Sequence, residues 1–169
     1  SEVPVVVEGG AALVVEGSLT MYAELKLNNG ATLNVDGNYF QKTGGLCVGD
    51  ENVKAHITGN MVFSESGCIT NTLLGSNKSS EIIVDENFVY NSSADSTLWS
   101  GNRVYYNRVT WKVKGDVTTG RGEGKILFTK LYLTGNDPHM LTLGADDKID
   151  SLFTEENNVV TVPEYINDL

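Results

Sequence analysis

Acidic side chains, two histidines, two thiols and one cluster of aromatics are the groups with a capacity for chemistry in this 169-residue chain. Asp36 and Asp85 occupy the same place in two copies of a short repeated phrase, and Thr58 holds that place in the copy between them. Stacked as strands, the two carboxylates would lie two strand spacings apart, roughly 9–10 Å. An inverting glycosidase sets its acid and base about 6.5–9.5 Å apart across a sugar. The rest of that file is Glu16, Lys114 and Thr134, and no copy stands out as a site with clustered carboxylates. No catalytic residue is assigned.

The other reactive groups lead no further. His56 and His139 fall in different copies, so no nucleophile–histidine–carboxylate triad is assembled, and an outward histidine on a strand is expected at the surface. Asp146-Asp147-Lys148-Ile149-Asp150 and Asp50-Glu51-Asn52 are acidic turns without the ligand spacing of a calcium loop. Cys47 and Cys68 are too few for a disulfide scaffold and lack the spacing of a zinc site. No glycine-rich phosphate loop follows a strand and opens a helix, so nucleotide binding is unsupported. The expectation is a protein without metal, cofactor or enzymatic activity.

Two surfaces could instead bind. The widest gap between copies holds Trp99, Tyr105 and Tyr106 with Arg103 and Arg108. Loops on a rigid scaffold are where binding residues concentrate, and a pyranose ring offers C–H groups to an aromatic face. The alternative is that Tyr105 or Tyr106 continues the strand leading to Trp111 and packs in the core. The second surface is Phe40, Val62 and Val89, three apolar residues in a file that alternation turns outward. It is either a contact strip for a ligand or a surface covered by an insertion or the C-terminal tail.

These positions follow from the repeat. The phrase reads apolar, any, apolar, any, Gly, Asn or Asp, apolar. Its six copies are Leu13–Leu19, Leu33–Tyr39, Ala55–Met61, Ile82–Phe88, Trp111–Val117 and Leu131–Asp137. The Gly-equivalent positions are 17, 37, 59, 86, 115 and 135, giving gaps of 20, 22, 27, 29 and 20 residues. Glu86 departs from the glycine pattern. Alternation with period two means strand, and no sustained 3.6-residue periodicity argues for a helix. A unit this short cannot bury its own apolar face, but stacked on neighbours it builds a continuous core.

The expected fold is therefore all-β, a single-stranded parallel β-helix of about six coils with 20–29-residue repeats. The β-solenoid is placed at 11–153, with an N-terminal cap or edge at 1–10 and a C-terminal cap or linker at 154–169. Leu33, Val35, Ile57, Val84, Trp111, Val113, Leu131 and Leu133 should point inward. So should Leu19, Met21, Tyr39, Met61, Phe63, Phe88, Tyr90 and Val117 beyond the turn. Ser18, Asn38, Asn60, Asn87, Asp116 and Asn136 should form one file, either hydrogen-bonded along the axis or chosen locally for the turns. A second alternation, Leu25-Lys26-Leu27, Leu46-Cys47-Val48 and Cys68-Ile69-Thr70, turns Cys68 inward and Cys47 outward.

With 40% apolar residues the chain can sustain one core, and its net charge of −10 lacks the basic footprint of a nucleic-acid binder. No apolar run approaches the ~20 residues needed to span a bilayer, so no membrane insertion is expected. The chain is expected to be a segment of a longer protein. Asn77-Lys78-Ser79 and Asn91-Ser92-Ser93 fit the glycosylation acceptor pattern.

Phrases such as Leu33-Asn34-Val35-Asp36-Gly37-Asn38 resemble the repeats of β-solenoid regions in large bacterial surface and adhesin-like proteins, those of Gram-positive anaerobes especially. The tail Leu131-Tyr132-Leu133-Thr134-Gly135 with Leu141-Thr142-Leu143 is similar to the closing segment of such regions. The resemblance covers most of residues 11–153 and transfers no functional residue. It implies a secreted or cell-surface protein that adjoins further domains, and with the aromatics of residues 99–106 the expected function is a non-catalytic binding or adhesion module contacting polysaccharide or a host glycan. The alternatives are a spacer or stalk and, third, a polysaccharide-cleaving β-helix enzyme.

Overall fold

The computed structural model describes residues 3–49, 51–71, 80–96, 98–100, 103–105, 109–120, 124–156 and 158–162, with backbone alone for 71, 98–100 and 103–105. Runs of alternating side chains form strands of two to five residues, each cut short by a turn. Every described element is a strand; none is a helix long and apolar enough to cross a membrane. The chain winds as a parallel β-solenoid of about six turns with three faces.

The first face holds Val5–Val7, Leu25–Leu27, Gly45–Val48 and Cys68–Asn71. The second is a seven-stranded sheet that runs from Ala12–Val15 to Leu152–Thr154, and the third runs from Leu19–Met21 to Val160–Thr161. Each strand pairs in parallel with its counterpart one coil on. Leu13, Leu33, Ala55, Ile82, Trp111, Leu131 and Leu152 succeed one another in register along the second face. The first six belong to the six copies of the phrase. The seventh, in Leu152-Phe153-Thr154, lacks the glycine that marks the others.

Alternation decides what is inside. All eight second-face residues expected inward are buried, and so are Met21, Tyr39, Met61, Phe63, Phe88, Tyr90 and Val117. Leu19, in the first coil, is half-buried. Aromatic rings fill the middle of the column. Phe88 sits 4.9 Å from Trp111 and 5.6 Å from Phe128 between ring centres, both edge-on, and 6.0 Å from Phe63. Burying each such side chain contributes about 1.5–3 kcal/mol. The indole N–H of Trp111 has no hydrogen-bond partner there, which costs part of that gain.

Two polar devices hold the corners. Gln41 is fully buried, its Nε2 donating to the carbonyls of Ala23 at 2.9 Å and Thr43 at 2.6 Å, while its Oε1 accepts from the hydroxyl of Tyr39. Asp147 accepts from the backbone N–H groups of Ile126 and Gly144, each at 2.8 Å, and from the hydroxyl of Thr119. Three chain segments are thereby tied to one carboxylate.

The turns explain Glu86. Gly37 has a φ of 151°, and a Cβ there would lie 2.8 Å from the carbonyl carbon of Gly17. Glu86 is not among the residues with positive φ. Its turn places no demand that only glycine meets, and the copy folds without one.

The first face corrects the expected register of the thiols. Ile69 lies opposite Leu46, and Leu46 opposite Leu25, all on the inner side. Cys68 lies opposite Gly45, and Thr70 opposite Cys47. Cys68 is therefore turned outward, one residue out of step with the expectation, and a slip of one reverses every side chain. Cys47 faces outward as expected but is buried, so it is not a surface thiol. A run of Cys, Ile and Thr contrasts too weakly in polarity to show which member faces the core.

Candidate binding groove

The third face carries a continuous outward file. Thr20, Phe40, Val62, Val89, Thr118 and Thr142 follow one another in register. Phe40, Val62 and Val89 are half-buried, whereas their inward neighbours Tyr39, Met61 and Phe88 are fully buried. Beside this file run the polar residues of the turns. Together they line an open groove of about 360 Å³ bounded by Asn38, Phe40, Asn60, Val62, Asn87, Val89, Asp116 and Thr118. The groove spans four coils.

Its polar wall is a hydrogen-bonded ladder. The hydroxyl of Ser18 accepts from the backbone N–H of Asn38 at 3.0 Å. Asn38 Oδ1 accepts from Asn60 twice, at 2.8 Å from the backbone and 3.0 Å from Nδ2. Asn60 Oδ1 serves Asn87 in the same way, and Asn87 Oδ1 accepts from the backbone of Asp116 at 2.8 Å. Each side chain thus satisfies a turn N–H of the next coil. The ladder form of the two readings of this file is the one observed, with one correction.

Asn136 is not in the ladder. The rung after Asp116 is the backbone N–H of Met140, which donates to Asp116 Oδ1 at 2.8 Å. The strand His139–Thr142 begins four residues after Gly135, so Asn136-Asp137-Pro138 loop out and are exposed. Proline lacks an N–H, so Pro138 has no donor to offer a ladder.

Electrostatically the groove is neutral to acidic. Among the described residues no lysine or arginine lines it, Asp116 closes one end, and Glu86 Oε2 accepts from Asn60 Nδ2 at 2.6 Å. Elsewhere, burial pushes both thiols above their usual range, first by desolvation. They are poor nucleophiles at neutral pH. Among the described residues no three histidine, cysteine or carboxylate side chains are grouped to hold a metal ion.

The two carboxylates of the sequence file are engaged separately. Asp85 Oδ2 lies 2.8 Å from His56 Nε2, and Asp36 Oδ1 accepts from Thr58 Oγ1 at 3.2 Å. His56 is therefore a half-exposed partner of Asp85 rather than a lone surface residue.

The aromatic insertion is described only in its backbone. Leu98–Ser100 and Arg103–Tyr105 pair antiparallel, with Trp99 opposite Val104 and Leu98 opposite Tyr105. The side chains of Trp99, Arg103 and Tyr105, and Tyr106 altogether, lie outside the described residues. A further aromatic surface is not marked by the repeated phrase. Tyr132 and Phe153 stack on the outer side of the second face, rings 4.4 Å apart and 12° from parallel. The signal was their shared place in the phrase, hidden because the last copy has lost its turn residues.

Fold and groove together define a parallel β-solenoid with a lateral, amide-walled apolar strip. Comparisons with protein families, characterised proteins and solved structures find no match for this chain.

Proposed function

We propose that the chain is a non-catalytic binding module of a secreted or cell-surface bacterial protein, contacting polysaccharide or a host glycan. The observation that carries this reading is the groove of the third face, where Phe40, Val62 and Val89 stay accessible beside an amide ladder. A carbohydrate site is typically apolar surface for the sugar face with a few placed polar groups for its hydroxyls. The insertion around Trp99 adds a second aromatic contact on this reading. A glycan-array screen of the module tests it. Val62→Asp should abolish binding, and Trp99→Ala should weaken it by about 2 kcal/mol, the size of a hot spot. Neither should lower the melting temperature appreciably. An array without a hit, or binding untouched by both variants, overturns the reading.

A spacer or stalk is the second reading, favoured by where apolar side chains are exposed. Among the described residues, the large exposed ones fall in the first coil, as Val5, Val6 and Val14 do, or beyond residue 139, as Met140, Leu152 and Phe153 do. Ends of this kind suit the stacking of further coils.

A further inference from the structure

Resting on the reading of the third-face groove as a glycan site, we infer its ligand class: an uncharged, extended polysaccharide lying parallel to the solenoid axis, with one sugar residue per coil.

The first argument is geometric. The groove is built of rungs, Asn38 with Phe40, Asn60 with Val62, Asn87 with Val89, and Asp116 with Thr118. Hydrogen-bonded strands are spaced about 4.8 Å apart, close to the length of one pyranose residue in an extended chain. A straight glycan therefore meets equivalent groups at successive sugars. A glycan that curls would leave the file after a rung or two. Three of the four rungs are apolar, which sets a footprint of about three rings.

The second argument is the order of groups within a rung. Apolar surface lies next to an amide or carboxylate, never alternating with it along the axis. A ring whose substituents are all equatorial has the matching layout, with C–H groups on its faces and hydroxyls round its edge. In an extended chain one ring face then lies on each of Phe40, Val62 and Val89 while the edge hydroxyls reach the ladder.

The third argument counts the hydrogen-bonding groups left over. Asn60 Nδ2 is fully committed, to Asn38 Oδ1 and Glu86 Oε2. In the bonds between described residues, Asn87 Nδ2 donates to Asn60 alone and Asn38 Nδ2 donates to none. Among the described residues this leaves an amide donor at Asn38, another at Asn87 and the second carboxylate oxygen of Asp116, all on residues that line the groove. Donors mixed with an acceptor suit hydroxyls, which are both.

Charge excludes the anionic alternatives. Glu86 and Asp116 flank the groove, no cationic side chain among the described residues lines it, and the chain carries −10. A uronate or sulfated chain would be repelled by both carboxylates.

Calorimetric titration of the chain separates this inference from the reading beneath it. The probes are neutral β-1,4-linked gluco-oligosaccharides of increasing length, an α-1,4-linked series, and oligogalacturonates. Affinity should rise through the trisaccharide and then level off, with the α-linked and anionic series weaker by about tenfold or more. Val62→Asp should remove binding, and Ile83→Asp on the second face should leave it unchanged. Equal or better binding of the curled or anionic series, still lost in Val62→Asp, overturns the ligand class and leaves the glycan site standing. No binding of any series overturns the ligand class, and a glycan array without a hit then overturns the reading beneath it as well.

Discussion

Asn60 Oδ1 accepts two hydrogen bonds from Asn87, one from its backbone N–H at 3.1 Å and one from its Nδ2 at 3.0 Å. The same double contact joins Asn60 to Asn38. Each amide is at once a turn residue of its own coil and the acceptor that satisfies the next. The file therefore couples the coils, and it keeps Phe40, Val62 and Val89 at constant spacing on the rim of the groove.

Asn60→Ala removes the acceptor for a turn N–H that Asn87 cannot redirect, at a cost of about 1–3 kcal/mol. For a chain of this size that lowers the melting temperature by several degrees. Asn136→Ala, at an exposed residue outside the ladder, should shift it by less than one degree. Thermal denaturation followed by circular dichroism compares the two, and equal shifts would reduce the ladder to independent turns.

Both cysteines are free, and desolvation raises both thiols, with Cys47 buried and Cys68 half-buried. Native labelling with N-ethylmaleimide at neutral pH should be slower than for an unfolded peptide at either site, and Cys68 should react ahead of Cys47. Peptide mass spectrometry after short pulses reads the order. Faster modification of Cys47 would contradict the observed first-face register.

Burial raises the phenols of Tyr39 and Tyr90 above their ordinary value, which is about 10 in an unfolded chain. Because the folded-state pKa is the higher one, this contribution to stability is complete below about pH 10. It is lost as the pH rises beyond that, when the unfolded chain ionises and the folded one cannot. Absorbance at the phenolate band should show these two tyrosines ionising only together with loss of the β-sheet signal. Tyr39→Phe, which leaves Gln41 Oε1 buried without its donor, should lower stability at neutral pH by about 1–3 kcal/mol. A smooth titration of every tyrosine in the native state would show that the core of the third face is open.

The repeat and its period-two alternation determined the architecture by themselves. Val35, Ile57, Val84 and Val113 could be set inward and Phe40, Val62 and Val89 outward because a strand reverses its side chain at each residue, and a short coil can bury its apolar side only by stacking. Even the partners of the amide ladder were legible as far as Asp116, since equal places in the phrase become neighbours along the axis. Three matters were decided only in the tertiary structure. Cys68 faces outward because the core takes Ile69, a choice between adjacent residues of similar polarity that packing alone makes. Asn136 leaves the ladder because the chain inserts a loop before His139, and spacing within the phrase does not say where the next strand resumes. Phe153 stacks on Tyr132 through a seventh strand that has lost its turn signature, so the preceding sheet edge recruits it by backbone hydrogen bonding rather than by sequence likeness. Alternation encodes which side of a strand meets the core; which residue lies opposite which is a property of the coils already stacked beneath it.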